Sequence, residues 1–143
     1  MKRVTREHAM VDRIACPWLI NNFVDKDAKF LFVPAEKVLE TAEKESATPF
    51  DIKDAELGHH AEEVSFDAII KKYNLRDPAL LELARIVRGA DTPNRALTPE
   101  SSGLYAIASG FRQISKDDFD NMKRQFPTYD ALYAYCKTKS SQK

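Results

Sequence analysis

From Ser65 onward the chain repeats one instruction: a capping residue, then apolar side chains at helical spacing. Asp77-Pro78 and Thr98-Pro99 each pair an acceptor of backbone N–H groups with a proline. The missing N–H and fixed φ of proline suit the first turn of a helix. The first pair predicts a helix running through Leu80, Leu81, Ala84 and Val87 to Gly89, and the second a helix to about Ser109 with Gly110 as its stop. Ser65 caps a helix through Tyr73 with Phe66, Ile69, Ile70 and Tyr73 inward. Ser115 and Asp118 form a capping-box variant ahead of Phe119 to Arg124, and Thr128 opens a last helix that packs Leu132, Tyr133 and Cys136. More than half of the chain is thereby committed to helix packing.

The N-terminal part reads differently. Lys2–Arg6 suggests a short edge strand, and Lys29–Val33 is β-rich and ended by Pro34. Between them a helix is expected over 16–24, with Pro17 in its first turn and Trp18 and Phe23 buried. Residues 35–44 read as an amphipathic helix with Val38, Leu39 and Ala42 inward, and 48–52 as a short extended piece. The fold class is mostly α (α+β): one compact helical domain over 1–143, with a small two- to three-strand β element in its N-terminal half and a frayed tail at 137–143.

Charge narrows the function. Lysine plus arginine and aspartate plus glutamate are both 22, so no overall field draws the chain to nucleic acid or to a membrane surface. No basic recognition helix is visible, which argues against nucleic-acid binding by this chain alone. The middle is acidic, with ten carboxylates against three lysines between Glu36 and Asp67, which favours cations over phosphates. Cys16 and Cys136 form no CxxC, as expected of free thiols in a reducing compartment. Met1 to Met10 is charged and no apolar run approaches a membrane span, so the expected location is the cytoplasm.

One stretch concentrates the chemistry. Glu56-Leu57-Gly58-His59-His60-Ala61-Glu62-Glu63-Val64-Ser65-Phe66-Asp67 holds two of the three histidines and four carboxylates within twelve residues. Imidazole with carboxylate suits a borderline or hard divalent ion such as manganese, iron or zinc, and is also a common general acid/base pair. In a helix or tight turn His59 meets Glu62 or Glu63; in a strand His60 meets Glu62. His59 with Glu62 is the preferred pair, His60 being a surface or outer residue. The plain alternative is a solvated loop whose charges keep it soluble.

Three stretches in this order, 11–20 (Val-Asp-Arg-Ile-Ala-Cys-Pro-Trp-Leu-Ile), the 58–67 loop and 83–91 (Leu-Ala-Arg-Ile-Val-Arg-Gly-Ala-Asp), resemble the chromate-resistance family in its ChrB-type C-terminal domain. The resemblance runs from Val4 to Cys136. It implies a setting in chromate resistance, as a sensing or regulatory component, more than it implies a reaction. Longer relatives carry a further N-terminal domain, and a role resting on that domain does not carry over. The family's positions match Asp12, Arg13, His59, Glu62, Asp67 and Asp91, while His60 and Cys16 depart from what many relatives carry.

On this resemblance Asp12 and Asp91 complete a metal set with His59 and Glu62. Glu63 or Asp67 would handle protons as catalytic carboxylates, and Arg13 with Arg88 would bind an oxyanion. Each has an ordinary alternative: Asp12 as a helix cap, Asp91 bonded to its own turn, and the arginines in salt bridges. Three functions stay open. They are a metal-dependent enzyme acting on a small molecule or oxyanion, a non-catalytic chromate- or metal-responsive module, and a structural interaction domain.

Overall fold

The computed structural model describes residues 1–52 and 64–141. Its elements are β1 (Lys2–Arg6), α1 (Asp12–Phe23), β2 (Lys29–Val33), a 3-10 turn (Ala35–Lys37), α2 (Val38–Glu45), β3 (Thr48–Pro49), α3 (Ser65–Lys72), α4 (Pro78–Asp91), α5 (Ser101–Ile114) and α6 (Asp118–Ser141). The mostly helical class with a small N-terminal sheet is what the sequence led one to expect. No helix among the described residues is long and apolar enough to cross a membrane.

The three strands form one parallel sheet in the order β2-β1-β3. Lys2–Arg6 is therefore the central strand and not an edge. Parallel strands need crossovers, and α1 and α2 supply them. Helices cover both faces. Arg3 and Thr5 face the main core with Phe30 and Phe50, whereas Val4 packs with Val38 and Ala47 under α2 in a second, smaller cluster. The chain leaves β1 towards one side to make β2, then returns to the other side to make β3. Ligands of open parallel sheets bind outside the carboxyl ends of the strands where the order reverses in this way. Here that edge carries the 7–11 turn after β1 and the segment after β3.

Several boundaries differ from the sequence reading. α1 starts at Asp12, so Pro17 lies inside the helix. Leu39 is 67% exposed, and α2 buries Val38 instead. Gly110 does not stop α5, which continues to Ile114; a Cβ there would meet nothing within 4 Å. Gly89 lies inside α4, because α5 passes so close that a Cβ would sit 2.2 Å from Ser101 Oγ. The two expected C-terminal helices are one, running through Pro127 to Ser141, so the stretch read as a frayed tail is helical as far as it is described.

The main core gathers α1, α3, α4, α5 and α6. Trp18 packs against Phe23, Tyr129 and Tyr133, and Phe23 against Tyr133, in edge and tilted contacts with ring centroids 5.5–6.2 Å apart. Trp18 Nε1 donates to Asp130 at 2.8 Å, satisfying the polar atom of that ring.

Candidate functional site

Helix α3 begins with backbone N–H groups that its own helix cannot satisfy. Ser65 was expected to cap it, but Ser65 is already its first residue and the cap comes from elsewhere. Asp12, 1% exposed, reaches across from the start of α1. Its Oδ2 accepts the Ser65 N–H at 2.8 Å, and its Oδ1 accepts the Phe66 N–H at 3.2 Å. The Cys16 thiol, one turn along α1, donates to the same Oδ1 at 3.3 Å. One carboxylate thus serves the positive ends of two helices at once.

Asp67 closes the same turn from inside, its Oδ2 accepting the Val64 N–H at 3.0 Å. Arg88 of α4 grips Asp67 with both arms of its guanidinium, Nη2 to Oδ1 at 2.7 Å and Nε to Oδ2 at 3.1 Å. Such a two-pronged pair is among the strongest polar contacts available, and here it ties α3 to α4. Asp67 and Arg88, read from sequence as a proton carrier and an oxyanion binder, are placed on each other.

Asp51 was not singled out from the sequence. It lies just after β3 with φ of 48°, in the left-handed region, and is 4% exposed. Its Oδ1 accepts the Ser65 hydroxyl at 3.1 Å, while Oδ2 lies 3.6 Å from Arg13 Nε and 3.8 Å from Arg6 Nη2. Asp51 and Ser65 therefore bring together the two sides of the 53–63 segment. Its signal in the sequence was only a short polar residue tolerant of the left-handed conformation at the end of an extended piece. His59, Glu62 and Glu63, with His60, fall outside the described residues.

Arg13 spends its donors on the turn after β1. Nη1 donates to the carbonyls of Arg6 at 3.1 Å and Glu7 at 3.0 Å, and Nη2 to that of His8 at 3.3 Å. Burial and the neighbouring Arg6 pull its pKa down, while Asp51 and Asp91 pull it up. The guanidinium is thus a clamp on backbone, not an arm waiting for an anion. Asp91 is the last residue of α4, half-buried, and not beyond the helix end. It acts electrostatically on Arg13, Cys16 and Tyr129.

The common neighbour of these carboxylates is Cys16. Complete burial pushes its thiol well up, and Asp12, Asp51 and Asp91 each add to the rise. Tyr129 is pushed up in the same way, by burial and then by Asp12 and Asp91. Asp12, Asp51 and Asp91 thus all act on the one buried thiol, Asp12 and Asp51 from the segments that follow β1 and β3. Even so, among the described residues no three His, Cys, Asp or Glu side chains gather closely enough to hold a metal ion.

Comparison with known proteins bears on this site. The chain matches the family described as ChrB, C-terminal domain, over residues 3–136. It belongs to the ChrB C-terminal domain family. Protein ChrB of Cupriavidus metallidurans is 31% identical over 132 residues, which cover 92% of this chain and 39% of that protein. The chain therefore spans about two-fifths of the relative it matches. No solved structure matches. Asp12, Arg13, Asp67, Arg88 and Asp91 all lie within the matched region.

Proposed function

We propose that this domain binds a divalent metal ion, manganese, iron or zinc, at the carboxyl edge of its sheet, in the chromate-resistance setting of its family. His59 and Glu62 would hold the ion with Asp91, and Asp12 would add its charge beside them. The observation that carries the reading is the placement of the loop's base. The chain leaves β3 at Asp51 and returns at Ser65 directly onto Asp12, at the point where the strand order reverses. The two described ends of the 53–63 segment thus meet at Asp12 and Asp51. The donor set, imidazole with carboxylates, fits a borderline or hard divalent ion. In this reading the decisive ligands, His59 and Glu62, come from the 53–63 segment.

An ion held in this way supplies polarisation of a bound water or substrate oxygen. With Asp67 tied to Arg88 and to the Val64 N–H, proton transfer would fall to Glu63. Arg13 and Arg88 are committed to the framework, so oxyanion binding is not assigned to them. A metal-dependent enzyme and a metal-responsive sensory module share this architecture and part only at turnover of a small substrate.

Elemental analysis of protein purified without added metal tests the proposal, with His59→Ala and Glu62→Ala alongside. The expected result is stoichiometric metal in the wild type and little in either variant, at unchanged helical circular dichroism. Metal-free wild type, or variants that retain the ion, would overturn it.

A further inference from the structure

A second region at the same edge has no part in the metal proposal. The turn after β1 holds His8 at φ of 62°, a left-handed conformation that side chains other than glycine adopt rarely. Three bonds keep it there. Asp118 at the start of α6 accepts the His8 N–H at 3.0 Å and the Ala9 N–H at 2.7 Å, and Arg13 donates to the His8 carbonyl at 3.3 Å. The backbone is thus fixed from α1 and from α6, while the imidazole is 72% exposed.

That imidazole borders a cavity of about 420 Å³ lined by His8, Met10, Tyr105, Ser109, Arg112 and Gln113. No carboxylate lines it. Arg112 has no ion pair among the described residues; its one polar contact is the weak acceptor Met10 Sδ at 3.7 Å from Nη1. The guanidinium of Arg95 lies 3.6 Å from the centroid of the Tyr105 ring, adding a further positive charge. A smaller hollow of about 290 Å³ shares His8 and Arg112 and holds the nearby acids. Of these, Asp118 gives both oxygens to backbone N–H groups, Asp117 accepts the Asp120 N–H at 2.8 Å, and Glu7 lies 3.6 Å from His8 Nε2.

We propose that the 420 Å³ cavity takes a small organic anion, a carboxylate or a phosphate monoester. Its charged group would sit on Arg112 and His8, and its apolar body on Met10 and Tyr105. Two features select this class. An acid-free wall with an unneutralised guanidinium attracts a negative charge, and Arg supplies the fork that both carboxylate and phosphate accept. The volume and the thioether and aromatic surfaces exceed what a bare inorganic oxyanion would fill. This inference stands whether or not the 53–63 segment holds a metal.

The test is a ¹⁵N-¹H shift titration at constant ionic strength, with phenyl phosphate, benzoate, inorganic phosphate and phenol as probes. Saturable shifts at the Met10, Tyr105, Ser109 and Gln113 amides are expected with one or both aromatic anions. Whichever saturates first tells phosphate from carboxylate. Phenol should shift nothing saturably, and inorganic phosphate should bind at least about tenfold more weakly, since it leaves the apolar wall unused. Arg112→Gln should weaken the aromatic anion about tenfold or more at an unchanged melting temperature, because the side chain is exposed and unpaired. The proposal is overturned if neither aromatic anion saturates, if Arg112→Gln binds as well as wild type, or if phenol or inorganic phosphate binds as tightly.

Discussion

Replacing Asp12 by alanine separates a carboxylate that holds the fold together from one that only waits for an ion. The side chain is 1% exposed and accepts the Ser65 N–H at 2.8 Å, the Phe66 N–H at 3.2 Å and the Cys16 thiol at 3.3 Å. Its loss leaves two buried N–H groups at the start of α3 without this acceptor. A hydrogen bond to a charged group is worth about 1.5–3 kcal/mol, and an orphaned buried donor costs about 1–3 kcal/mol. The shorter bond counts in full, and the longer one and the weak thiol donor count for less. The total comes to about 3–5 kcal/mol, a large share of the roughly 5–15 kcal/mol that holds a domain together. In thermal terms the drop is roughly 10–15 °C for a chain of this size. Asp12→Asn keeps one carbonyl acceptor in place and should lose about half as much. Urea unfolding of metal-free protein, followed through the single tryptophan, Trp18, gives both values, provided the slope with denaturant is unchanged. If metal-free Asp12→Ala matches or exceeds wild-type stability, the carboxylate is not what ties α3 to α1. The anchoring of the 53–63 segment would then have to be abandoned.

Other consequences follow from particular contacts. Gly89→Ala places a methyl 2.2 Å from Ser101 Oγ and 2.8 Å from its Cβ, so α4 and α5 must separate, at about 1–3 kcal/mol by the same unfolding assay. An unchanged midpoint would show that the two helices can part freely. Both cysteines are buried, and their thiols are pushed up, Cys16 strongly and Cys136 to about 11. Near pH 8 neither should react with a thiol reagent until the protein is unfolded, and fast native labelling of either would contradict their burial. Tyr133 is raised from 10.0 to about 12, by burial first and then by its hydrogen bond to Asp77. A raised pKa stabilises the fold fully below the unfolded value of about 10, and that stability is lost as pH climbs towards 12. The stability difference between wild type and Tyr133→Phe should therefore shrink over that window, and a constant difference would rule out the linkage.

Local chemistry made much of the fold legible. Asp77 caps α4 through the Ala79 N–H at 2.9 Å, and Pro78 follows it as the first helical residue. Lys29–Val33 is a strand as its composition indicated. What stayed hidden depends on distant parts of the chain. Nothing within Lys2–Arg6 says that strands will flank it on both sides, since the pairing is settled by β2 and β3. Thr128 was read as the start of a separate helix, yet α6 runs unbroken through Pro127, with Tyr129 buried against Trp18 of α1 on the far side. Packing there outweighs the one hydrogen bond that proline removes.

The site was legible in type more than in role. Asp12, Asp67, Arg13 and Arg88 were picked out as chemistry-bearing residues, and each has a partner that no spacing rule could supply. Asp12 meets α3 fifty-three positions later, and Asp67 meets Arg88 across two helices. Asp51 escaped notice because an isolated aspartate in an acidic stretch looks like any solvated charge. Only the fold shows it buried between Ser65 and two arginines.

The central claim, that the segment between Asp51 and Ser65 carries a metal site, meets its most direct test in thermal unfolding of chelator-stripped protein. Manganese, iron(II) or zinc is added to wild type and to His59→Ala in parallel. A bound ion adds RT ln(1 + [L]/Kd) to the folded state, about 2.7 kcal/mol at a hundredfold excess over Kd. At least one of the three ions should raise the wild-type midpoint and leave His59→Ala where it was. Equal shifts in both proteins, or none in either, would contradict it.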